Sequence, residues 1–113
     1  NVYTISDEIY ELINFTPKHA SLAAEPGMME RVITVNGVSK GFAMTGWRLG
    51  YIGAPKWIAD ACTKIQGQFT SAPCSIAQAA AAAAVEADPS IAKPMVEAFL
   101  RRRDAMYANL SEI

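Results

Sequence analysis

Three short apolar runs, all in the first half of the 113-residue chain, constrain its fold more than any other feature. They span residues 2–6, 31–37 and 49–54; the first ends at Asp7 and the third is stopped by Pro55. Runs rich in β-branched residues predict strands of an α/β sheet, and the first is expected to be buried. Three strands cannot cover both faces of an open sheet, so the sequence is expected to be a piece of a longer protein.

The second half has the residue spacing of helices. A first helix is indicated by apolar residues at offsets of three and four, a stripe that would pack on a sheet. These residues are Ile58, Ala61, Cys62, Ile65 and Phe69. Ser75 and Gln78 match a capping box ahead of an alanine-rich helix, and Asp88 with Pro89 matches a cap followed by a first-turn proline. A long final helix follows, in which Pro94 marks a kink or a late start.

The charge balance excludes several classes of function. Ten basic and eleven acidic side chains give a net charge of −1, and the basic run 101–103 is followed at once by an acidic residue, so no nucleic-acid partner is expected. The uncharged run 65–85 contains Pro73 and is mostly alanine, which argues against a membrane span. Cys62 and Cys74 lack zinc-type spacing, so we expect free thiols, no metal and a reducing compartment such as the cytoplasm.

A lone lysine, Lys40, lies among small residues and is followed eight positions later by Arg48. An amine at the end of a buried strand is partly desolvated, which makes it a usable nucleophile toward an aldehyde. Gly37 and Gly41 would leave room for a flat ring, and the planar fork of Arg48 suits a phosphate. On spacing alone, a loop lysine with a salt-bridged arginine is an equally good interpretation.

Two motifs resemble those of a known family. The segments GVSK at 37–40 and AMTGWRLG at 43–50 resemble the pyridoxal-phosphate attachment motif of class I aminotransferases, and AMTGWR is similar to the bacterial aspartate aminotransferase subgroup. The segment DEIY at 7–10 is similar to the family's Asp-x-x-Tyr. The similarity covers essentially the whole chain, although many relatives have a phosphate-binding serine at the position of Gly37.

This resemblance implies part of the large α/β domain of a fold-type I pyridoxal-phosphate enzyme, with three strands of a mixed, mostly parallel sheet followed by helices. Residues 1–87 would belong to that cofactor-binding domain, and residues 88–113 would form a long helix leading toward a small C-terminal domain. Family members are several times longer, and their active sites form at a homodimer interface. A partner subunit is therefore implied, and the isolated piece is expected to be inactive.

Carried over to the matching positions, the resemblance gives each motif residue a role. Lys40 would hold the cofactor as a Schiff base and then move the proton at the substrate α-carbon. Asp7 would keep the cofactor's ring nitrogen protonated, and Tyr10 would hydrogen-bond the ring's 3-oxygen. Arg48 would clamp the phosphate, and Ser39 would contact the cofactor or only be small enough to fit. The implied reaction moves an amino group between an amino acid, here aspartate, and a 2-oxo acid such as 2-oxoglutarate.

Several alternatives stay open at this stage. Asp7 could be an ordinary helix N-cap and Tyr10 a core aromatic, and His19 is interpreted as a surface residue without a role. Relatives with the same lysine motif act as aromatic or kynurenine aminotransferases, carbon–sulfur lyases or cyclopropane-forming synthases. The residues that bind the substrate carboxylate lie outside this sequence. The chain could also be an inert structural or dimer-forming segment.

Overall fold

The computed structural model describes residues 2–16 and 18–112, and the first half of the chain forms a three-stranded sheet. The strands are β1 (Thr4–Asp7), β2 (Val32–Gly37) and β3 (Gly50–Gly53), in the spatial order β1-β2-β3. β2 is parallel to β1 and antiparallel to β3. All three expected strands are present, and a mixed sheet followed by helices confirms the predicted fold class.

The first strand differs from the prediction in its burial. Side chains along β1 alternate between half-buried and exposed, and Ile5 is one of the exposed ones. Within the described residues β1 is an edge strand that pairs with β2 alone. The face of β1 that carries Ile5 and Asp7 is also exposed, so the prediction of a buried strand is wrong for this chain.

The connection from β1 to β2 is built from turns. It contains one 3-10 helix, Leu22–Ala24, and a turn in which the N–H groups of Arg31 and Val32 both donate to Met28 O, at 2.8 and 3.0 Å. This turn leads directly into β2. The strand β2 pairs with β1 in parallel.

Helices make up the second half of the chain. They are α1 (Lys56–Phe69), α2 (Ser75–Glu86) and α3 (Lys93–Leu110). A short 3-10 helix, Pro89–Ala92, leads directly into α3. Pro94 lies in the first turn of α3, where backbone N–H groups have no intrahelical acceptor, so a proline costs no hydrogen bond there. It therefore marks the start of the helix and not a kink.

The apolar stripe expected on α1 is largely uncovered. Ile65 and Phe69 are exposed, Phe69 to 82%, and α1 has no buried residue. The helix itself is as predicted, but the stripe has no described element packed along it. Cys62 and Cys74 are both free and exposed, which confirms the prediction of free thiols.

One predicted helix cap is confirmed and one is wrong. The Oδ1 of Asp88 accepts a hydrogen bond from Ser90 N at 2.8 Å, as a cap does. Ser75, by contrast, is already the first residue of α2 and caps nothing. The side chain of Gln78 donates instead to Pro73 O at 2.8 Å, so the capping-box prediction is wrong.

The hydrophobic core of the described residues is small. Val32 and Val38 are its largest fully buried side chains, and its other members are Ala77, Ala81 and Ala92. Three of these five are alanines: Ala77 and Ala81 lie on α2, and Ala92 lies in the 3-10 helix before α3. In residues 2–16 and 18–112, no helix combines the length and apolar character needed to cross a membrane.

Candidate active site

The carboxyl ends of β1 and β2 lie at the same edge of the sheet because the two strands are parallel. Asp7 is the last residue of β1 and pairs with Val35 of β2. β2 ends at Gly37, and Lys40 follows three residues later. Ligand sites of open α/β sheets form just outside such carboxyl ends. The fold therefore brings the predicted acid and the predicted amine to one edge.

The Lys40 amine lies over the ring of Tyr10, with Nζ 6.0 Å from the ring centroid. Tyr10 occupies a turn directly after β1, closed by hydrogen bonds from Glu11 N to Glu8 O and from Ile13 N to Tyr10 O, both 2.9 Å. A separation of about 6 Å is the outer limit of a cation–π contact, so the attraction itself is weak. The tyrosine is 57% exposed, which excludes a core aromatic. Tyr10 and Lys40 thus lie close together, and both are at least partly accessible.

Lys40 is held in place by the residues before it. Val38 is fully buried, and its carbonyl accepts a hydrogen bond from Met44 N at 3.4 Å. Ser39 and Lys40 follow, and both are half-buried. Burial of Val38 therefore anchors the loop after β2 and leaves Ser39 and Lys40 at its accessible end.

Asp7 begins a turn and not a helix. Its Oδ1 accepts a hydrogen bond from Ile9 N at 3.1 Å, which is an Asx turn leading the chain out of β1. The described residues between Glu8 and Ser21 contain no helix, so Asp7 is not a helix N-cap. The residue stays exposed, and its carboxylate is accessible to a ligand.

Arg48 lies at the end of a strained turn. The 3-10 helix Thr45–Trp47 is flanked by two non-glycine residues with left-handed backbone, Ala43 at φ 54° and Arg48 at φ 52°. Such a conformation costs roughly 1–2 kcal/mol, and backbone strain of this kind clusters at ligand sites. The guanidinium is exposed, and its Nη1 donates to Thr45 O at 2.9 Å. In the described part of the chain no carboxylate pairs with Arg48, which argues against a structural salt bridge.

The two glycines that flank the lysine loop do not leave room for a ring, as the sequence suggested. A Cβ at Gly37 would lie 2.9 Å from Gly50 Cα and 2.9 Å from Leu49 O. A Cβ at Gly41 would lie 2.8 Å from a methyl carbon of Leu12. The space beside each glycine is filled by other residues of this chain, so the prediction that the two glycines make space for the cofactor is wrong.

A buried carboxylate, Glu8, lies next to Asp7 and was not expected from the sequence. Glu8 is 7% exposed. Its Oε1 accepts hydrogen bonds from Ser21 Oγ at 2.9 Å and Ser6 Oγ at 3.1 Å, and its Oε2 lies 2.9 Å from His19 Nε2. His19 is therefore half-buried and paired with Glu8, which corrects its interpretation as a surface residue.

The pKa of Glu8 follows from two opposing effects. Burial alone would raise the pKa of this carboxyl group, because it disfavours the charged form. The hydrogen bonds from His19, Ser21 and Ser6 favour the charged form and outweigh the burial, so the pKa lies below its usual value of 4.5. Glu8 is therefore a carboxylate at neutral pH.

The residues at this edge offer four different kinds of group. Lys40 supplies an amine, Asp7 a carboxylate, Tyr10 a phenol and, from the turn that follows, Arg48 a guanidinium. All four side chains are at least partly accessible, and Lys40 Nζ lies 6.0 Å from the centroid of the Tyr10 ring. This set suits a planar ligand that carries an aldehyde, a basic ring nitrogen, an acidic ring oxygen and a phosphate.

Comparison with known proteins gives one consistent result. The sequence matches the family described as aminotransferase class I and II over residues 1–113. It is 53% identical over 113 residues to a bifunctional aspartate aminotransferase and glutamate/aspartate-prephenate aminotransferase of Petunia hybrida, covering 96% of this chain and 24% of the petunia protein.

Solved structures agree with the sequence relatives. The aspartate aminotransferase of Rhizobium meliloti superposes with a TM-score of 0.94 at 42% identity, covering 99% of this chain and 28% of that one. An aromatic aminotransferase from Pyrococcus horikoshii superposes with a TM-score of 0.91, also at 42% identity, covering 97% of this chain and 30% of that one. The chain thus spans about a quarter of the length of the curated relatives it matches.

Proposed function

This chain belongs to the family of class I and II aminotransferases, and we propose that it carries the cofactor-binding edge of an enzyme that moves an amino group between an amino acid and a 2-oxo acid. The family depends on pyridoxal phosphate. The observation that carries the proposal is the position of Lys40, whose amine lies 6.0 Å from the Tyr10 ring at the edge where β1 ends in Asp7. A reactive amine, a carboxylate and a phenol together are the groups that this chemistry requires.

When bound, pyridoxal phosphate supplies an aldehyde that links to amines and a ring that takes up the electrons left when a proton leaves the substrate α-carbon. Lys40 would hold the aldehyde group covalently through Nζ and, once released, would accept and return the proton of the substrate α-carbon. Its half-buried position at the end of an anchored loop limits the geometries that its amine can reach.

The other residues bind and orient. Asp7 would keep a proton at the ring nitrogen, because a carboxylate beside that nitrogen favours its charged form. Tyr10 would donate a hydrogen bond to the ring's 3-oxygen, and Arg48 would bind the phosphate with its planar fork. Ser39, next to Lys40, would contact the cofactor through its hydroxyl or would only be small enough to fit beside it. Covalent attachment, ring charge and phosphate binding are thus the work of separate side chains.

We propose aspartate and 2-oxoglutarate as the substrates. The proposal is supported by the names of the petunia and Rhizobium relatives, which are both aspartate aminotransferases. An aromatic amino acid is the second candidate, because the Pyrococcus relative of 42% identity is an aromatic aminotransferase.

We also propose that the chain acts within a longer, homodimeric enzyme. Residues 1–87 would form part of its cofactor-binding domain, and residues 88–113 would lead toward a smaller domain. Support comes from the uncovered apolar side chains of α1 and α3, which include Ile65, Phe69 and Met106. The free thiols of Cys62 and Cys74 support a reducing compartment such as the cytoplasm.

An activity assay on the intact enzyme tests the proposed function. We expect amino transfer from aspartate to 2-oxoglutarate, and we expect Lys40→Ala to lower kcat by about a thousandfold or more, since it removes both the attachment point and the acid–base group. The matched control is Lys64→Ala, because Lys64 is an exposed lysine on α1. Full activity in Lys40→Ala would contradict the proposal, and faster transfer from phenylalanine than from aspartate would favour the aromatic alternative.

A further inference from the structure

Glu8 is an almost fully buried charge at the centre of a small hydrogen-bonded cluster. A buried carboxylate is unfavourable unless it is paired and hydrogen-bonded, and this one has partners on both oxygens. One partner, Ser6, belongs to β1 itself. The other two, His19 and Ser21, come from the connection to β2, 11 and 13 residues further along the chain. The carboxylate therefore fastens this turn-rich segment to the end of β1.

The backbone of Glu8 is fixed as firmly as its side chain. Its N–H donates to Val35 O at 2.9 Å, which continues the pairing of β1 with β2. Its carbonyl accepts from Glu11 N at 2.9 Å and so closes the turn that carries Tyr10. Asp7 precedes it directly in the chain. The two residues that face the proposed cofactor site are thus positioned on either side of one immobilised residue.

We propose that Glu8, held by His19, Ser21 and Ser6, is a positioning residue that fixes Asp7 and Tyr10 for cofactor binding. This inference rests on the proposed function. Glu8 itself touches neither cofactor nor substrate, because its two carboxylate oxygens are occupied by protein donors on the buried side. Its effect is exerted through the backbone that it shares with Asp7 and through the turn that holds Tyr10.

A metal ion is the competing explanation of the same residues. Ligand atoms of Glu8, Glu11 and His19 lie within 4.8 Å of one another. The direct 2.9 Å contact between His19 Nε2 and Glu8 Oε2 leaves no space for an ion between them, and Glu8 Oε1 already holds two hydroxyl groups. The contacts therefore favour a hydrogen-bonded cluster over a metal site.

The test compares four variants of the intact enzyme. Glu8→Gln replaces the carboxylate with a neutral side chain of the same shape, and His19→Leu removes the donor. His19→Gln keeps a donor near the position of Nε2, and Ser21→Ala removes one hydroxyl without a change of charge. Glu25→Gln is the matched control, because Glu25 is an exposed glutamate in the same connection.

Three quantities are measured for each variant: the pyridoxal-phosphate dissociation constant, the pH midpoint of the bound cofactor's visible absorbance, and the apoprotein melting temperature.

We expect Glu8→Gln and His19→Leu each to weaken cofactor binding about tenfold, which corresponds to about 1.4 kcal/mol. Both should also shift the pH midpoint of the absorbance, since that midpoint reports the groups around the bound aldehyde and ring. His19→Gln should restore binding to within about threefold of the wild type, and Ser21→Ala should show a smaller shift in the same direction as Glu8→Gln. The double variant Glu8→Gln/His19→Leu should be no weaker than the worse single variant, because the two residues act as one unit.

Three outcomes would overturn the inference. In the first, Glu8→Gln and His19→Leu melt earlier but keep the wild-type dissociation constant and pH midpoint, which would show a purely structural role. In the second, chelation abolishes cofactor binding and zinc restores it, which would show a metal site. In the third, the wild type gives no lysine-linked absorbance at all, and the proposed function then fails together with this inference.

Discussion

Two neighbouring carboxylates, Asp7 and Glu8, lie at the end of β1 in opposite environments. Glu8 follows the last residue of β1 and continues its pairing with β2. Successive side chains of an extended backbone point to opposite faces, so one is exposed and the other buried. The exposed Asp7 uses one oxygen in an Asx turn and remains accessible to a ligand, whereas the buried Glu8 is surrounded by three protein donors. The two neighbours thus differ in environment as their proposed roles require: Asp7 is proposed to bind the cofactor and Glu8 to anchor the segment that follows β1.

Removing the charge of Asp7 should reduce catalysis more than it reduces binding. We expect Asp7→Asn to lower kcat on the order of a hundredfold or more, because an electrostatic group that stabilises developing charge is typically worth that much. Cofactor should still bind, since Lys40 and Arg48 are unchanged. Steady-state kinetics with saturating pyridoxal phosphate measure the effect. Asp60→Asn, on the exposed face of α1, is the control, and an unchanged kcat in Asp7→Asn would refute the assigned role.

The lowered pKa of Glu8 predicts a pH-dependent contribution to stability. A carboxyl group whose pKa is lower in the folded state stabilises the fold above its unfolded pKa, near 4.5, and this contribution is lost as the pH falls through the folded pKa. Glu8→Gln should therefore lower the free energy of unfolding by about 1–3 kcal/mol at pH 7, and the difference from wild type should shrink below about pH 4.5.

Urea titrations of the intact enzyme at several pH values measure this difference. Glu11 and His19 are the other titratable groups at this carboxylate, so Glu11→Gln is included to separate their contributions. A difference between wild type and Glu8→Gln that stays constant from pH 7 to pH 3 would contradict the prediction.

At the scale of elements, close contact between β2 and β3 depends on a glycine. A Cβ at Gly37 would lie 2.9 Å from both Gly50 Cα and Leu49 O, which are backbone atoms that cannot turn away. We expect Gly37→Ala to lower the free energy of unfolding by about 1–3 kcal/mol, as overpacking does. Gly53→Ala is the matched control, since a Cβ at Gly53 meets nothing within 4 Å. Denaturant titrations measure the free energy of unfolding of both variants. Equal values for the two would contradict the prediction and show that β3 can shift to make room for the added methyl group.

The sequence predicts the elements better than it predicts their contacts. β-branched runs predict the three strands, three-to-four spacing predicts α1 and α3, and the alanine tract predicts α2, because local patterns dictate local structure. The cap at Ser75 was wrong because the helix begins one residue earlier than a capping box requires, and a cap depends on the position of a single residue. The roles of Gly37 and Gly41 were misjudged because their neighbours, β3 and Leu12, are brought close only by the fold.

The pairing of Glu8 with His19 could not be read from the sequence for a related reason. The two residues are 11 positions apart in a turn-rich segment without periodicity, and nothing local specifies that the segment folds back onto β1. One signal was available. If Asp7 faces a ligand, the alternation of side chains along extended backbone turns Glu8 toward the opposite, buried side. A buried carboxylate needs a hydrogen-bond donor. His19, the only histidine in the sequence, is a candidate for that donor.

At the scale of the whole molecule, the chain is too extended and too apolar on its surface to be a compact unit by itself. Its radius of gyration is 17.0 Å, whereas a compact domain of this size has about 13 Å. Large apolar side chains such as Phe69, Ile76 and Tyr107 are exposed, and β1 and β3 are open sheet edges among the described residues. Exposed edges and apolar patches of this kind promote association.

We therefore expect the isolated 113-residue chain to self-associate or to remain partly unfolded. Sedimentation velocity over a tenfold concentration range should show a mass that rises with concentration, and the thermal transition should be broad. A sharp, concentration-independent transition of a monomer would contradict this prediction.

Covalent attachment of the cofactor to Lys40 is the central claim, and peptide mapping tests it most directly. The intact enzyme is saturated with pyridoxal phosphate, reduced with borohydride and digested, and the modified lysine is identified by mass spectrometry. The chain contains five lysines, of which Lys18, Lys56, Lys64 and Lys93 serve as internal controls. The account predicts a phosphopyridoxyl group at Lys40 in near-stoichiometric amount and only traces at the other four. An unmodified Lys40 in fully loaded enzyme would contradict it.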